Sequence, residues 1–424
     1  MKVRGSVRVP GDKSISHRAL LLAALARGTS EIEGLLPGED VKSTARIMRA
    51  LGARITPIRG DGVTHATGVR LTAPGETLHC GNSGTTARLG LGLLAGQPFA
   101  ARLTGDASLR RRPMRRVTEP LRAMGARITE ERGDALPLSI RGGRLRALVY
   151  DSPVASAQVK SALLLAGLTG RVAVTVREPH RSRDHTERLF AYLGLGIAER
   201  EGAVSYQPSV VSPPAFRLVV PGDISSAAFV VAAALLAEGG DLVIEGVGVN
   251  PTRTGALVVL ERMGARVERV NLRAAGGEPV ADLLVRPAAL RGTEVRAEEI
   301  PALVDEVPIL AVLASRAEGE TVFREVGELR VKESNRLELV AANLRAVGAE
   351  AEARGNDLWV RGAGRPPRGR VETAADHRLA MAFAVLGTVR GAAVRLSERR
   401  SVAISYPGFF RDLRRIGSGR GAGA

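Results

Sequence analysis

The chain has 424 residues, a formal net charge of +17, 45% hydrophobic residues and only 3% aromatic residues. A chain of this length can bury a large core, which Ala, Leu and Val must mostly fill. The single cysteine, Cys80, excludes a disulfide framework and a thiolate metal cluster and favours a reducing compartment. Its first residues lack the apolar core of a signal peptide, and no apolar run approaches the ~20 residues that span a bilayer. We therefore expect a soluble, cytoplasmic protein.

The positive charge is compatible with a solvated arginine-rich surface, with nucleic-acid binding, or with small anionic substrates. Nucleic-acid-binding proteins usually concentrate their positive charge and add aromatic side chains that stack on bases. Here the arginines are spread along the chain, and only the segment 110–116 is dense. The distribution therefore favours small, multiply charged substrates.

In chain order, the first informative element is a strand, turn and helix that occurs twice. The sequence VRVPGDKSISHRALLLAAL begins at Val7, and the similar LVVPGDISSAAFVVAAAL begins at Leu218. The two PGD turns lie half a chain length apart. This duplication predicts two halves of similar fold that enclose a shared cleft.

A shorter repeat lies within each half. Six amphipathic helices are predicted to end in the glycines Gly52, Gly125, Gly194, Gly264, Gly348 and Gly417. Glycine just past a helix is the usual left-handed C-terminal cap. An apolar helix precedes each one and begins near Ser14, Gly84, Ala157, Ser225, Val304 and Asp376; the absence of a polar face predicts that these helices are buried. The pattern predicts an α/β fold of two similar domains, each built from three βαβαββ-type units around buried parallel helices.

The strand pattern also predicts the domain boundaries. A strand follows five of the six glycines, whereas little chain follows Gly417, and the N-terminal KVRGSVRV is a spare strand that could complete the sixth unit. We therefore expect an inserted domain of residues 10–218 and a discontinuous domain of residues 1–9 and 219–424. The chain would then cross between the domains twice, an arrangement that suits a hinge.

Unusual polar residues mark the start of each buried helix. They are Lys13, Ser14 and Arg18; Asn82, Gly84 and Thr85; Ser156 and Gln158; Asp223 and Ser225; Asp305 and Glu306; and Asp376, His377 and Arg378. Helix N-termini bind anions because their backbone N–H groups are unpaired and carry a partial positive charge. Ordinary capping is the alternative and suits Asp223 and Ser225. Capping does not explain the cations Lys13, Arg18 and Arg378, which are unfavourable there unless an anion is bound.

Eight segments in chain order resemble the EPSP synthase family. They are VPGDKSISHRALLLAAL, GNSGTTARL, LRRRPM, ASAQVKSALLLAGL, SRDHTE, LVDEVPILAVLA, LRVKESNRL and DHRLAMAFAVLG, and they cover essentially the whole chain. The resemblance implies the inverse α/β barrel fold of the enolpyruvyl transferases, with two domains that close around shikimate 3-phosphate and phosphoenolpyruvate. It implies transfer of the enolpyruvyl (1-carboxyvinyl) group to the 5-hydroxyl of shikimate 3-phosphate, a step of the shikimate pathway to chorismate. It further implies no metal or organic cofactor. We expect a monomer that binds neither nucleic acid nor membranes.

The same resemblance implies the site residues. Shikimate 3-phosphate is expected to contact Lys13, Ser14, Arg18, Ser156, Gln158, Arg183, Asp305 and Lys332. Phosphoenolpyruvate is expected to contact Lys13, Gly84, Arg112, Gln158, Arg336 and Arg378. Asp305 is the expected base, and Glu333 and Lys13 are alternative proton donors. Glu306 is interpreted as structural. Arginine suits these substrates because its planar fork pairs with two oxygens of a carboxylate or phosphate.

Three alternatives stay open at this stage. The UDP-N-acetylglucosamine enolpyruvyltransferases share the fold and the chemistry, but they carry a cysteine at about the position of Ala107 and prefer Lys-Asn where this chain has Lys13-Ser14. A nucleic-acid-binding or RNA-end-processing protein of related repeat architecture is disfavoured by the low aromatic content and the dispersed charge. A repeat scaffold that has lost activity is disfavoured by the presence of Asp305, Glu333 and the arginines. Ile404 or Ser405 stands where one branch of the family has a substrate-binding lysine, so that contact is also open.

Overall fold

The fold is described from a computed structural model that covers residues 1–210 and 212–418. Residues 211 and 419–424, which fall inside the predicted domains, lie outside the described part of the chain.

The helices alternate between buried and half-buried. They are α1 Lys13–Leu25, α2 Glu39–Ala50, α3 Gly84–Ala95, α4 Arg115–Met124, α5 Ala157–Gly170, α6 His185–Tyr192, α7 Ile224–Leu235, α8 Gly255–Arg262, α9 Val307–Ala314, α10 Arg336–Ala346, α11 His377–Leu386 and α12 Phe409–Ser418. Short 3-10 helices span Leu109–Arg111, Ala297–Ala302, Gly327–Val331 and Arg400–Ile404. The odd-numbered α-helices are buried on nearly every side, as their apolar sequences predict. Among the described residues, no helix combines the length and the apolar composition needed to cross a membrane.

The strands are short and are separated by these helices. They are β1 Gly5–Arg8, β2 Thr29–Glu33, β3 Arg54–Ile55, β4 Val63–Thr67, β5 Leu78–His79, β6 Ala100–Thr104, β7 Arg127–Glu130, β8 Leu138–Arg141, β9 Leu148–Asp151, β10 Val174–Arg177, β11 Ile197–Arg200, β12 Ala203–Tyr206, β13 Arg217–Val219, β14 Leu242–Gly248, β15 Val267–Ala275, β16 Glu278–Val285, β17 Glu294–Val295, β18 Glu320–Phe323, β19 Glu350–Arg354, β20 Asp357–Arg361, β21 Arg368–Val371 and β22 Ala393–Leu396.

Contacts within the chain define two compact units. Unit 1 consists of Met1–Pro10, Pro221–Ala274 and Pro279–Ala424, and unit 2 consists of Gly11–Val220 and Ala275–Glu278. The four residues Ala275–Glu278 join β15 to β16, and no sequence pattern indicated that they belong with unit 2. That the units correspond to separately folding domains remains a prediction.

Unit 2 contains three sheets of the same design. Their strand orders are β13-β2-β4-β3, β5-β6-β8-β7 and β9-β10-β12-β11. In each sheet the first pair of strands is parallel and the other two pairs are antiparallel. The buried helices α1, α3 and α5 supply most of one hydrophobic core, to which Leu20, Leu91 and Leu164 belong. The predicted threefold repeat within this part of the chain is therefore present.

Unit 1 corrects one expectation about the strands. Its sheets have the orders β1-β14-β16-β15, β17-β18-β20-β19 and β21-β22. β1 pairs in parallel with β14, so the N-terminal strand completes the fourth repeat, and the prediction that it completes the sixth was wrong. The reason is an exchange of edge strands: β13, which precedes α7 in the chain, pairs with β2 and leaves the edge of β14 to β1.

The predicted helix ends are confirmed except at the last glycine. Gly52, Gly125, Gly194, Gly264 and Gly348 have φ angles between +69° and +112°, the left-handed conformation of a C-terminal cap. Gly417, by contrast, lies inside α12, so its predicted role as a cap was wrong. A Cβ atom there would lie 2.8 Å from the Met1 sulfur, so close packing accounts for the missing side chain. The fifth buried helix begins at Val307, slightly later than the predicted start near Val304.

Candidate active site

Three of the residues predicted to bind phosphoenolpyruvate lie together at the start of α3 in unit 2. Arg88 joins them: its Nη1 donates a 2.8 Å hydrogen bond to Gln158 Oε1, and Gln158 Nε2 donates to Thr85 Oγ1 at 3.1 Å. A Cβ atom on Gly84 would lie 2.8 Å from Arg88 Nη1 and 3.6 Å from Arg112 Nη1. The missing side chain at Gly84 therefore leaves room for two guanidinium groups. We call Gly84, Arg88, Arg112 and Gln158 the α3 cluster.

Sequence reasoning missed Arg88. Its position one helical turn after Gly84 was the available signal, because residues four apart lie on the same face of a helix. The side chain is buried, and its Nη2 donates to the carbonyl of Pro113 at 3.0 Å. Arg88 therefore connects the beginning of α3 to the Arg-Pro segment that carries Arg112.

Arg112 is oriented by a small polar network. Its Nη2 donates to Asn82 Oδ1 at 2.6 Å and to Ser108 Oγ at 3.3 Å. Asn82 in turn donates to the carboxylate of Asp106 at 2.6 Å, and Asp106 also accepts a bond from the backbone of Leu109. The side chain of Arg112 is thus held in one direction before any substrate contact is made.

Lys13, the first residue of α1, has an acidic partner that the sequence did not reveal. Its ammonium forms an ion pair with the carboxylate of Asp40 in the first turn of α2. The Asp40 side chain is 7% exposed and that of Lys13 is 20% exposed. The nearly buried carboxylate therefore fixes the lysine at the N-terminus of a buried helix, where an unpaired cation would be unfavourable.

Arg18 ties three helices together. Its Nε donates to Thr186 Oγ1 at 2.6 Å, its Nη2 to Ser161 Oγ at 2.6 Å, and its Nη1 to the carbonyl of Ser14 at 3.0 Å. Burial lowers the pKa of Arg18 to about 10, although the negative charge of Glu187 acts in the opposite direction. In the structure, Arg18 therefore donates hydrogen bonds to residues of α5 and α6. Its contact with a substrate phosphate remains a prediction.

Ser156 and Arg183, both predicted to bind shikimate 3-phosphate, are connected through one carboxylate. Ser156 occupies the position just before α5, and its backbone N–H donates to Glu178 Oε1 at 2.8 Å. Ser182, the neighbour of Arg183, donates its hydroxyl to the same carboxylate at 2.7 and 2.8 Å. The two predicted phosphate contacts therefore stand on segments that share Glu178.

In unit 1 the predicted residues gather around Arg336. Its guanidinium lies 2.5 Å from Glu333 Oε2, 3.6 Å from Asp305 Oδ1 and 2.8 Å from Asp376 Oδ2. Burial acts to lower the pKa of Arg336, but the charges of Asp376 and Glu333 outweigh it and raise the pKa above its ordinary value. Burial likewise acts to raise the pKa of Asp376, and the charge of Arg336 overcomes it and lowers that pKa. We call Asp305, Glu333, Arg336, Asp376 and Arg378 the Arg336 cluster.

Arg378 contacts Asp305 from the start of α11. Its Nη1 donates to the Asp305 carbonyl at 3.0 Å, and its Nη2 lies 3.8 Å from Asp305 Oδ2. Nη1 is also 3.7 Å from the buried carboxylate of Glu306, which accepts a short hydrogen bond from Ser225. Ser225 accepts another bond from Arg253 Nη2 at 2.7 Å. Glu306 therefore belongs to a buried network that supports Arg378, consistent with its interpretation as structural.

Lys332 lies just before Glu333 at the end of a 3-10 helix. Its ammonium is 2.7 Å from Glu328 Oε1, and the Lys332 side chain is 21% exposed. The structure thus pairs Lys332 with a carboxylate outside the predicted set. In the C-terminal segment, Ile404 ends a 3-10 helix and Ser405 is buried.

The single cysteine is not placed for nucleophilic chemistry. Cys80 is fully buried, and burial raises the pKa of its thiol to about 12, which makes it a poor nucleophile. In the part of the chain that the structure describes, no group of three His, Cys, Asp or Glu side chains is arranged to hold a metal ion.

A family model described as EPSP synthase (3-phosphoshikimate 1-carboxyvinyltransferase) matches residues 1–413. The chain belongs to the EPSP synthase family. The resemblance inferred from the eight sequence segments is therefore confirmed.

Individual relatives agree with this family. The 3-phosphoshikimate 1-carboxyvinyltransferase of Synechococcus sp. (strain RCC307) is 50% identical over 425 residues, which cover 98% of this chain and 97% of that protein. The enzyme of the same name from Thermus thermophilus is 52% identical over 416 residues, covering 98% of this chain and 96% of its own.

Solved structures confirm the fold. EPSP synthase from Acinetobacter baumannii has a TM-score of 0.87 and 39% identity, and the match covers 98% of this chain and 96% of that one. The enolpyruvyl transferase NikO from Streptomyces tendae, at 20% identity, has a TM-score of 0.77 over 98% of this chain and 95% of its own. The predicted α/β fold of the enolpyruvyl transferases is thus confirmed.

Proposed function

We propose that this chain transfers the enolpyruvyl group from phosphoenolpyruvate to the 5-hydroxyl of shikimate 3-phosphate. The products are 5-enolpyruvylshikimate 3-phosphate and inorganic phosphate. The observation that carries the proposal is the Arg336 cluster, which places Asp305 and Glu333 beside a buried arginine in a chain that matches the EPSP synthase family over residues 1–413.

Phosphoenolpyruvate is bound, in this proposal, by cations and by a helix N-terminus. The positive charges come from Lys13, the two arginines of the α3 cluster, Arg336 and Arg378. Gln158 of the α3 cluster adds its side-chain amide. Each charge-assisted hydrogen bond of this kind is worth roughly 1.5–3 kcal/mol. The start of α3 adds the partial positive charge of a helix N-terminus, which a phosphate can approach because Gly84 has no side chain.

Shikimate 3-phosphate is held by a different set of residues. We assign its phosphate to Ser14, Ser156 and Arg183, with Lys13, Arg18 and Gln158 beside it. Its ring hydroxyls are assigned to Asp305 and Lys332.

The chemistry requires one proton to leave the 5-hydroxyl and another to reach the methylene carbon of phosphoenolpyruvate. Asp305 is the proposed base. Lys13 and Glu333 are the alternative groups proposed to deliver the proton to the methylene carbon. Removal of a proton from the same carbon then expels phosphate from the tetrahedral intermediate. General acid–base groups typically contribute ~10²–10⁴-fold to the rate. The arginines stabilise the charge that develops on the carboxylate and phosphate.

The remaining features of the proposal concern the surroundings of the enzyme. We propose that it acts in the cytoplasm, as a monomer, without binding nucleic acid or membranes. The spread of the arginines along the sequence and the low aromatic content support the part that concerns nucleic acid.

Phosphate release from phosphoenolpyruvate tests the proposed function. We expect release with shikimate 3-phosphate and none with UDP-N-acetylglucosamine. An Asp305→Asn variant should keep its substrate KM values within a few-fold and lose ~10²–10⁴-fold in kcat, because it lacks the base. Glu338→Gln, which changes an exposed carboxylate in the first turn of α10, is the matched control and should keep normal turnover. Phosphate release with UDP-N-acetylglucosamine but not with shikimate 3-phosphate would overturn the proposal.

A further inference from the structure

Unit 2 contains a buried ion cluster that the proposed chemistry does not use. Lys160, on the first turn of α5, places its ammonium 2.7 Å from Glu178 Oε2 and 2.8 Å from Glu187 Oε1. The three side chains are 2%, 6% and 9% exposed. Glu178 follows β10, and Glu187 lies on α6, so the cluster joins three consecutive elements of the third repeat.

Buried ions are seldom the most favourable way to stabilise a core. Removing charges from water costs several kcal/mol per ion, and well-packed apolar residues often stabilise a fold as well or better. Burial acts to lower the pKa of Lys160, but the charges of Glu187 and Glu178 raise it, so the ammonium stays charged. Burial also raises the pKa of Glu187. The cluster therefore calls for an explanation other than stability.

Glu178 differs from Glu187 in what else it contacts. It accepts the backbone N–H of Ser156 at 2.8 Å, the hydroxyl of Ser182 at 2.7 and 2.8 Å, and the Ser182 N–H at 3.4 Å. Ser156 directly precedes α5, and Ser182 directly precedes Arg183. One carboxylate thus fixes the two segments that carry the proposed phosphate contacts.

Lys160 reduces the electrostatic repulsion that Glu178 would exert on a substrate phosphate. A carboxylate beside a phosphate site would repel the incoming phosphate, because like charges that are poorly solvated interact strongly. The ammonium of Lys160, which donates a hydrogen bond to Glu178 and also pairs with Glu187, offsets part of this negative charge. Glu178 still accepts the bonds from Ser156 and Ser182.

We propose that Glu178, held by Lys160, is a positioning residue that sets the placement of Ser156 and Arg183 for the 3-phosphate group of shikimate 3-phosphate. The inference rests on the proposed function, in which these two residues bind that phosphate. Glu178 itself touches no substrate. It acts through the segments that its carboxylate holds.

Steady-state kinetics with each substrate varied in turn tests this role. Glu178→Gln should raise the KM for shikimate 3-phosphate about 10- to 100-fold, the effect of losing a charge-assisted hydrogen-bond network. The KM for phosphoenolpyruvate and the kcat at saturation should change less than about threefold. This split distinguishes a positioning role from general damage to the fold.

Glu187→Gln is the matched control. This substitution removes the other carboxylate that pairs with the Lys160 ammonium. The bonds to Ser156 and Ser182 are made by Glu178 and are left in place. We expect a similar loss of thermal stability and a KM for shikimate 3-phosphate within about threefold of the parent. Equal KM changes in the two glutamine variants would overturn the proposal.

Two lysine variants test the charge balance. Lys160→Met leaves the Glu178 carboxylate without this cation and should raise the KM for shikimate 3-phosphate. Lys160→Arg keeps a positive charge, so its KM for shikimate 3-phosphate should stay close to that of the parent. If Lys160→Met fails to fold, the glutamine pair still decides the matter. An inactive parent protein would refute the proposed function, while an active parent with unchanged KM values in Glu178→Gln would refute this inference alone.

Discussion

At the scale of single residues, the candidate site is built from charges that are already paired. Lys13 is paired with Asp40, and Arg336 is surrounded by Asp305, Glu333 and Asp376. Pairing offsets part of the free-energy cost of burying these ions. Substrate phosphates and carboxylates must therefore compete with groups of the protein for these cations.

His17 gives a prediction at this scale. It is fully buried on α1, and its Nδ1 lies 2.7 Å from Thr44 Oγ1. Burial, followed by the charges of Lys13 and Arg18, lowers the pKa of His17 well below 6.5. The unfolded chain therefore binds a proton that the folded chain rejects, and stability is lost as the pH falls below about 6.5.

His17→Asn removes this titration. The variant should be less stable than the parent at pH 8, because a buried hydrogen bond and packing are lost. The difference should shrink as the pH falls from about 6.5 to 5, by at most ~1.4 kcal/mol per pH unit. Denaturant unfolding at several pH values measures it, with His65→Asn as a control at an exposed histidine. A difference that stays constant across this range would contradict the prediction.

At the scale of elements, the starts of five of the six buried helices were predicted to within one residue, whereas the partners found there were not predictable. Asp12, Ser83, Asp223 and Asp376 cap α1, α3, α7 and α11 through side-chain hydrogen bonds, as local sequence indicates. The link from Arg88 on α3 to Gln158 on α5 joins residues 70 positions apart. Such a contact depends on how two helices pack, which periodicity within either helix cannot reveal.

Gly84 gives a prediction at the element scale. A methyl group at this position would approach Arg88 Nη1 to 2.8 Å and must displace that flexible guanidinium. Gly84→Ala should therefore raise the KM for phosphoenolpyruvate by about 10-fold or more, with a smaller effect on the KM for shikimate 3-phosphate.

Gly90→Ala, on the same helix, is the matched control. A Cβ atom there meets nothing within 4 Å, and alanine favours helix, so we expect unchanged kinetics and equal or slightly higher stability. Steady-state kinetics and thermal unfolding of both variants decide the comparison. An equal KM for phosphoenolpyruvate in the two variants would show that phosphoenolpyruvate binding does not depend on the space beside Gly84.

At the scale of the complete chain, the polypeptide passes between the two compact units near the two PGD turns and again on either side of Ala275–Glu278. Each unit has its own core: Leu20, Leu91 and Leu164 belong to one, and Ile244 and Leu310 belong to the other. We propose that the units are separately folding domains. The exchange of β1 and β13 makes unit 1 depend on its N-terminal segment, because Val3 and Val7 belong to its core.

This proposal predicts different behaviour for two separate segments. Residues 11–220 contain all strands of three sheets and should unfold cooperatively, with a modest loss of about 1–3 kcal/mol because His185 loses its 2.7 Å contact with Glu278 Oε1. Residues 221–424 lack β1 and should be less stable than the same segment with residues 1–10 joined to it. Circular dichroism during heating measures both. A disordered 11–220 segment would refute separate folding.

The repeat, the buried helices, five of the six glycine caps and the family could all be predicted from the amino-acid order, because they depend on local propensity, on hydrophobic period and on motifs in sequence. Three-dimensional packing was needed to establish that β1 joins β14, that Arg88 bridges Gly84 and Gln158, that Asp40 pairs with Lys13, and that Glu178 serves two segments at once. Pairing of distant strands and burial of charges are set by the arrangement of many elements. A strand such as β1 carries the same alternation whichever edge it joins, and a buried carboxylate looks like a surface one until its neighbours are in place.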